Sequence, residues 1–388
     1  MLSSQDFRLS PPGLQNSPPL GLYIHIPWCL RKCPYCDFNS HAVRGEMPES
    51  AYIDSLLREL EGALPDVWGR PVETIFFGGG TPSLLSPEGL DRLLTAVRTL
   101  LPVRPWAEVT LEANPGTFEA ARFRAFRAAG VDRLSIGIQS FDDRFLQALG
   151  RVHDSREARA AAEAARGIFD RLNLDLMYAL PGQTQADLDA DLAAALSFEP
   201  DHLSCYHLTL EPNTAFAAAP PPALPDDDLA AAMQERVEER LAAAGYDHYE
   251  TSAFAQPGQA CRHNLNYWRF GDYLGIGAGA HSKLSFHDRV VRRANRKLPR
   301  EYMAGAPAEE RVLEPDDLRF EFMMNALRLS EGFESGLFQE RTGLNWEAVR
   351  AEVGAAEARG LLERKGVMVR PSPLGRRYLN DLLQMFLA

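Results

Sequence analysis

From Gly21 onward the chain alternates between short apolar runs and longer amphipathic stretches. The runs lie at Leu22–Ile26, Thr74–Phe77, Glu108–Glu112, Arg133–Ile138, Leu172–Tyr178 and Leu203–Leu210. Such short runs, rich in β-forming residues, predict strands. The stretches between them have helical spacing. Ala51–Leu64 sets Ile53, Leu56, Leu57 and Leu60 on one face. Ser86–Leu101 opens with Ser86 as N-cap and Pro87 at the first helical position. Gly130 is a natural C-cap for Thr117–Ala129, and Asp154–Ile168 and Thr184–Leu196 continue the series. Repeated strand-then-helix units predict a parallel sheet covered by helices, and curled it is a partial (β/α)6 barrel. In a barrel of this kind functional groups stand at the C-terminal ends of the strands.

The pattern weakens at both ends. Residues 1–20 hold prolines, Ser and Gln with little periodicity and read as a flexible tail. The barrel is expected over residues 21–215. An Ala/Pro-rich break at Ala217–Pro222 predicts a flexible connection into an α/β extension over 216–310. Residues 311–388 read as helix, turn, helix and hairpin, a C-terminal helical domain resembling a winged-helix module.

Composition narrows the function classes. The chain has 388 residues, 45% of them hydrophobic, ample for a sizeable core. A net charge of -12 argues against nucleic acid as a partner and turns the C-terminal module towards packing or docking. No apolar stretch reaches membrane-spanning length and no signal-peptide pattern opens the chain. Five cysteines, with Cys29, Cys33 and Cys36 clustered, suit a reducing cytoplasm rather than a disulfide framework.

The clustered cysteines, at C-x3-C-x2-C spacing, leave the end of the first strand. A structural zinc site would need a fourth ligand, the nearest being His25 or His41. Three unrelated thiols are the other plain reading. An iron–sulfur cluster held by three thiolates leaves one iron open for chemistry, whereas ferredoxin clusters use four cysteines at other spacings.

With Tyr35 before its last cysteine, the motif resembles the radical S-adenosylmethionine (SAM) superfamily. That resemblance implies a [4Fe-4S] cluster on Cys29, Cys33 and Cys36, with SAM chelating the open iron. It also implies contacts to the methionine portion from Gly79, Gly80 and Thr81, in the run Gly78-Gly79-Gly80-Thr81-Pro82 after the second strand. Glycines permit close backbone approach, though a sharp strand-exit turn is the structural alternative. Glu112 ends the third strand, where a carboxylate can accept ribose hydroxyls or simply face solvent. Gln139 ends the fourth strand. Arg151 offers a fork for a carboxylate or a solvated surface charge. Asp175 is a charged residue inside an apolar strand, either paired at the barrel mouth or turned outward. Similarity to the coproporphyrinogen-oxidase-like branch implies that Tyr23, Tyr35, Glu112, Gln139, Arg151 and Asp175 belong to the SAM site.

Two features narrow the branch. The oxygen-independent coproporphyrinogen III oxidases carry a further cysteine two residues after the third, where this chain has Phe38, and they have a longer N-terminal arm. Second, Cys261-Arg262-His263-Asn264-Leu265-Asn266-Tyr267-Trp268 contains His-Asn-x-x-Tyr-Trp, which looks like the signature of the HemW-type haem chaperones. That resemblance implies haem bound through His263, with Tyr267 and Trp268 facing the macrocycle. The plain alternative is a core histidine in an aromatic cluster. Cys261 is a rival ligand or a buried thiol, and Cys205 reads as a barrel-interior thiol. His281, after the glycine-rich Gly275–Gly279, either touches SAM or haem or is structural. Arg292, Arg293, Arg296 and Lys297 form a solvated basic face or meet haem propionates.

The resemblance therefore implies a haem chaperone that delivers haem to respiratory haemoproteins. Transient contact with membrane-bound haemoproteins and a homodimer are further expectations. The enzyme alternative is oxidative decarboxylation of coproporphyrinogen III, and cleavage of SAM stays open. A DNA-binding regulator using the C-terminal module is a third reading.

Overall fold

The computed structural model describes residues 13–115 and 120–387. Six parallel strands follow in chain order: β1 (Leu20–Ile26), β2 (Val72–Gly79), β3 (Val103–Ala113), β4 (Arg133–Gln139), β5 (Arg171–Tyr178) and β6 (His202–His207). Helices Glu49–Ala63, Pro87–Leu100, Ala120–Ala129, Ser155–Arg166 and Gln185–Leu196 lie between them. This is the expected partial barrel. Leu22, Ile24, Ile75, Phe77, Leu111, Leu134, Ile136 and Leu174 are all at 0% exposure, so the strands are apolar where the helices cover them.

Local chemistry sets the helix starts. The Ser86 hydroxyl accepts from Gly89 N at 3.0 Å ahead of Pro87. Asp154 and Thr184 each form reciprocal capping boxes, with Glu157 and Asp187. The first residues of the helix expected from Thr117 lie outside the described residues.

The extension builds both edges of the same sheet. β7 (Asp247–Glu250) and β8 (Ala253–Ala255) add antiparallel strands beyond β6. At the other edge β9 (Asp272–Ile276) pairs parallel with β1 and is followed by antiparallel β10 (His281–Ser285), β11 (Val290–Ala294) and β12 (Glu309–Val312). The twelve-stranded order is β12-β11-β10-β9-β1-β2-β3-β4-β5-β6-β8-β7. The chain therefore returns to β1 after β6, and β10 and β11 lie beside the start of the barrel.

In the C-terminal part, helices Pro315–Ala326, Ser335–Thr342 and Arg350–Ala358 precede a hairpin of β14 (Leu362–Lys365) and β15 (Met368–Pro371), and β13 (Phe333–Glu334) pairs with β15. A second core forms around Phe322, Phe338, Val353 and Phe386. Leu14 packs into it, and Leu14 N donates to His287 O at 3.1 Å. Residues 13–20, expected as part of a free tail, are thus anchored by one buried leucine and the start of β1. Residues 1–12 of that tail lie outside the described residues. The Ala/Pro-rich connection at Ala217–Pro222 is entered through a short helix, Ala215–Ala218, whose Phe216, just ahead of the connection, is buried, with Phe216 N donating to Pro34 O at 3.0 Å. No described helix is long and apolar enough to cross a membrane.

Candidate functional site

The cysteine loop leaves β1 and is closed at its base by pairing of Trp28–Cys29 with His41–Ala42. His41 N donates to Pro27 O at 2.7 Å and Val43 N to Cys29 O at 2.9 Å. Cys29, Cys33 and Cys36 are all partly exposed. Burial raises the thiol pKa of Cys29, and the nearby Cys36 and Cys33 raise it further. Burial likewise raises Cys36, which Lys32 partly offsets. Cys29 and Cys36 thus lie near enough to Cys33 for the charge of one thiolate to disfavour that of its neighbours.

Arg151 joins this loop to the barrel. Its Nη1 lies 3.5 Å from Cys33 Sγ and 3.4 Å from the Tyr35 hydroxyl. Its Nη2 donates to Gly137 O at 2.7 Å and to Asn114 Oδ1. Asn114 Nδ2 in turn donates to Thr81 Oγ1 at 2.9 Å. Arg151 is therefore not the solvated charge that its loop position allows. Its buried Nε has no partner among the described residues, leaving a donor for a ligand. Asn114, whose only sequence signal is its place before Pro115 at a strand end, links the loops after β2, β3 and β4.

Glu112 and Asp175 stand in the barrel lumen. Burial, then the neighbouring Asp175, pushes the Glu112 carboxyl up to about 8, while Gly79 N donates to its Oε2 at 3.2 Å. Burial also raises Asp175, whose carboxylate accepts from Asn173 Nδ2 at 2.7 Å and Ser135 Oγ at 3.3 Å. Both acids face inward. Gln139 ends β4 with φ +71°, a left-handed conformation costly for a non-glycine residue, at a shift in the register with β5. Tyr23 completes the wall, its hydroxyl 3.0 Å from His25 Nδ1.

The glycines after β2 have a reason inside the protein. At Gly79, φ +112°, an added Cβ would fall 2.5 Å from the His25 ring. At Gly80 it would fall 2.5 Å from Trp28 O. Gly80 N donates to Ile26 O and Thr81 N to Trp28 O, at 2.8 and 2.7 Å. The strand-exit turn thus clamps the end of β1, from which the cysteines hang.

His263 lies elsewhere. It belongs to the helix Arg262–Trp268, is 1% exposed, and sits against the first residues of β1 and β2. Its Nδ1 meets Thr74 Oγ1 at 2.7 Å and its Nε2 the Tyr267 hydroxyl at 2.9 Å. Its ring stacks on Phe76 at 5.0 Å, and burial lowers its pKa to about 3. Both ring nitrogens are engaged at the opposite end of the lumen from the cysteines. Iron ligation by His263 would require Tyr267 or Thr74 to leave it. Cys261 is also fully buried, beside Glu108 at 3.6 Å, and Cys205 is an interior thiol. Tyr267 and Trp268 do reach open space. With Tyr23, Glu112, Tyr273 and His281 they line a cavity of about 460 Å³ running from the lumen to the β10–β11 face.

Residues 23–195 match the radical SAM superfamily and residues 313–378 the HemN C-terminal domain. The heme chaperone HemW of Escherichia coli (strain K12) is 50% identical over 374 residues, 96% of this chain and 99% of that protein. HemW of Haemophilus influenzae is 45% identical, over 95% of this chain and 98% of its own. The chain belongs to the HemW family of haem chaperones. A solved structure of the E. coli coproporphyrinogen III oxidase HemN, a radical SAM enzyme, matches with a TM-score of 0.80 at 25% identity, over 95% of this chain and 90% of that one.

Membership of the radical SAM superfamily implies a [4Fe-4S] cluster and SAM as cofactors. Toward these groups the chain offers three neighbouring thiols and, beside Cys33, a buried Arg151 nitrogen with no partner among the described residues, although in this structure no three His, Cys, Asp or Glu side chains of the described residues are drawn together as a metal site. Phe38, where HemN-type oxidases are expected to carry another cysteine, is 60% exposed on the cavity rim. Phe216, which packs on the cysteine loop with its ring 6.4 Å from Tyr35, stands just ahead of the Ala/Pro-rich stretch with no local sign of its contact.

Proposed function

We propose that the chain is a haem carrier of the reducing cytoplasm that delivers haem to respiratory haemoproteins, with membrane-bound recipients met transiently and a homodimer as its assembly. Cys29, Cys33 and Cys36 would hold the cluster, which supplies an open iron for the amino and carboxylate groups of SAM. Gly79, Gly80, Thr81, Gln139, Tyr23 and Tyr35 would shape the SAM site. Glu112 and Asp175 are the lumen acids available to hydroxyl or ammonium groups, and Arg151 is the cation beside the thiols. The observation that carries this reading is Arg151, which ties Cys33 and Tyr35 of the cysteine loop to Gly137 and Asn114 at the strand ends, beside a lumen whose Tyr23 and Glu112 line one cavity with the aromatic Tyr267 and Trp268.

The likeness in shape to HemN favours oxidative decarboxylation of coproporphyrinogen III as the competing reading. Anaerobic reconstitution followed by haem titration, with a parallel assay on coproporphyrinogen III, SAM and a reductant, separates them. Haem uptake without protoporphyrinogen formation is expected. Robust protoporphyrinogen formation would overturn the carrier reading.

A further inference from the structure

The aromatic cavity contains an imidazole of a different kind from His263. His281 opens β10 and is exposed, and its ring has no hydrogen-bond partner among the described residues. Its place is set by the backbone. A Cβ at Gly275 would lie 2.0 Å from His281 O, so only glycine lets β9 and β10 approach this closely. Strand pairing sets Lys283 opposite Tyr273 on β9 and Arg292 on β11, and His281 shares their face because side chains alternate along a strand. Although solvent reaches the residue, its neighbours partly desolvate the ring, and this, then the nearby Arg292 and Lys297, holds the His281 imidazole below its usual pKa, leaving a neutral ring with a lone pair to donate.

The cavity supplies what a flat, dicarboxylate macrocycle needs. Trp268, Tyr267 and the exposed Phe38 give apolar surface. Trp268 Nε1 is a buried donor with no partner among the described residues. Arg292 is already taken, donating to Glu321 at 2.9 and 2.6 Å and to the Tyr273 hydroxyl. Lys297 is exposed and forms no ion pair among the described residues, which leaves its ammonium for a carboxylate. The volume of about 460 Å³ lies within the range of small-molecule sites.

We propose that His281 is the haem-iron ligand contributed by this chain, in the cavity between Trp268 and Phe38, with Lys297 pairing a propionate. The step is coordinative: an imidazole nitrogen donates its lone pair to iron, and no electron or proton is transferred. The proposal rests on the haem-carrier reading and assigns the motif histidine another task. Through its bond to the hydroxyl, His263 is a positioning residue for Tyr267.

The test is haem titration of the full-length, cluster-reconstituted protein, read by magnetic circular dichroism, which separates haem bands from those of the cluster. His281→Ala should lose the imidazole-ligated signature and bind haem at least about tenfold more weakly, the scale on which even an outer-sphere partner affects a metal site. Free imidazole should restore the wild-type spectrum, and His281→Met should give a thioether-ligated spectrum with the fold intact. Lys297→Glu should weaken binding without moving the bands. An unchanged spectrum and affinity in His281→Ala, with wild type binding haem, would overturn this site and leave the carrier reading standing. Failure of the wild-type protein to take up haem would overturn both.

Discussion

His263 Nε2 and the Tyr267 hydroxyl meet at 2.9 Å one helical turn apart, and of the two residues it is Tyr267 that faces the aromatic cavity. His263 is held in the interior with both ring nitrogens hydrogen-bonded and its ring stacked on Phe76. The motif thus spans two environments.

His263→Ala should therefore act on stability first. It orphans the Thr74 hydroxyl and the Tyr267 hydroxyl and leaves a cavity, a loss of about 2–4 kcal/mol by denaturant titration. Haem should bind more weakly because Tyr267 is released, while the haem bands stay where they are. A shifted spectrum that free imidazole restores would instead make His263 the ligand.

Cys33→Ala should abolish the iron–sulfur absorption and leave a soluble protein, because the residue is partly exposed on a loop closed by backbone bonds at its base. Iron and labile sulfide analysis of anaerobically purified protein is the measurement. A full complement of both would remove Cys33 from the ligand set.

Glu112 predicts a pH dependence with a definite sign. Its folded-state pKa of about 8 lies above its ordinary value of 4.5, so the fold favours the protonated acid. The associated stability is complete below about pH 4.5 and is lost as the pH rises through about 8. Between denaturant titrations at about pH 5 and about pH 9, the cofactor-free wild type should lose on the order of a few kcal/mol relative to Glu112→Gln. Parallel curves for the two proteins would show that Glu112 ionises freely.

Gly80→Ala tests the packing reason for the glycine turn. The new methyl would lie 2.5 Å from Trp28 O, so the strand end carrying the cysteines must shift. A cost of about 1–3 kcal/mol is expected, together with a lower iron content after reconstitution. Unchanged stability with weakened SAM binding alone would instead assign the glycine to ligand approach.

The alternation of apolar runs with capped helical stretches was sufficient to place the six parallel strands, because each signal is local: Ser86, Asp154 and Thr184 cap helices by reaching three residues ahead. The cysteine spacing and the haem-chaperone motif were equally legible, since both lie within eight consecutive residues. Long-range contacts were not. Leu14, in a proline-rich opening, is buried by the C-terminal core, and Phe216, just ahead of an Ala/Pro stretch, is held by the cysteine loop.

The sequence by itself determined the barrel, the cysteine trio and the family, because periodicity, capping and motif spacing are properties of neighbours along the chain. Only the tertiary structure decided which histidine is hydrogen-bonded through both ring nitrogens and which has no such partner among the described residues. His263 finds Thr74 across 189 residues, whereas His281 is carried to the cavity by strands that return to pair with β1 after the barrel has been built. Accessibility and hydrogen-bond partners depend on what the rest of the chain brings alongside, and no stretch of sequence contains that information locally.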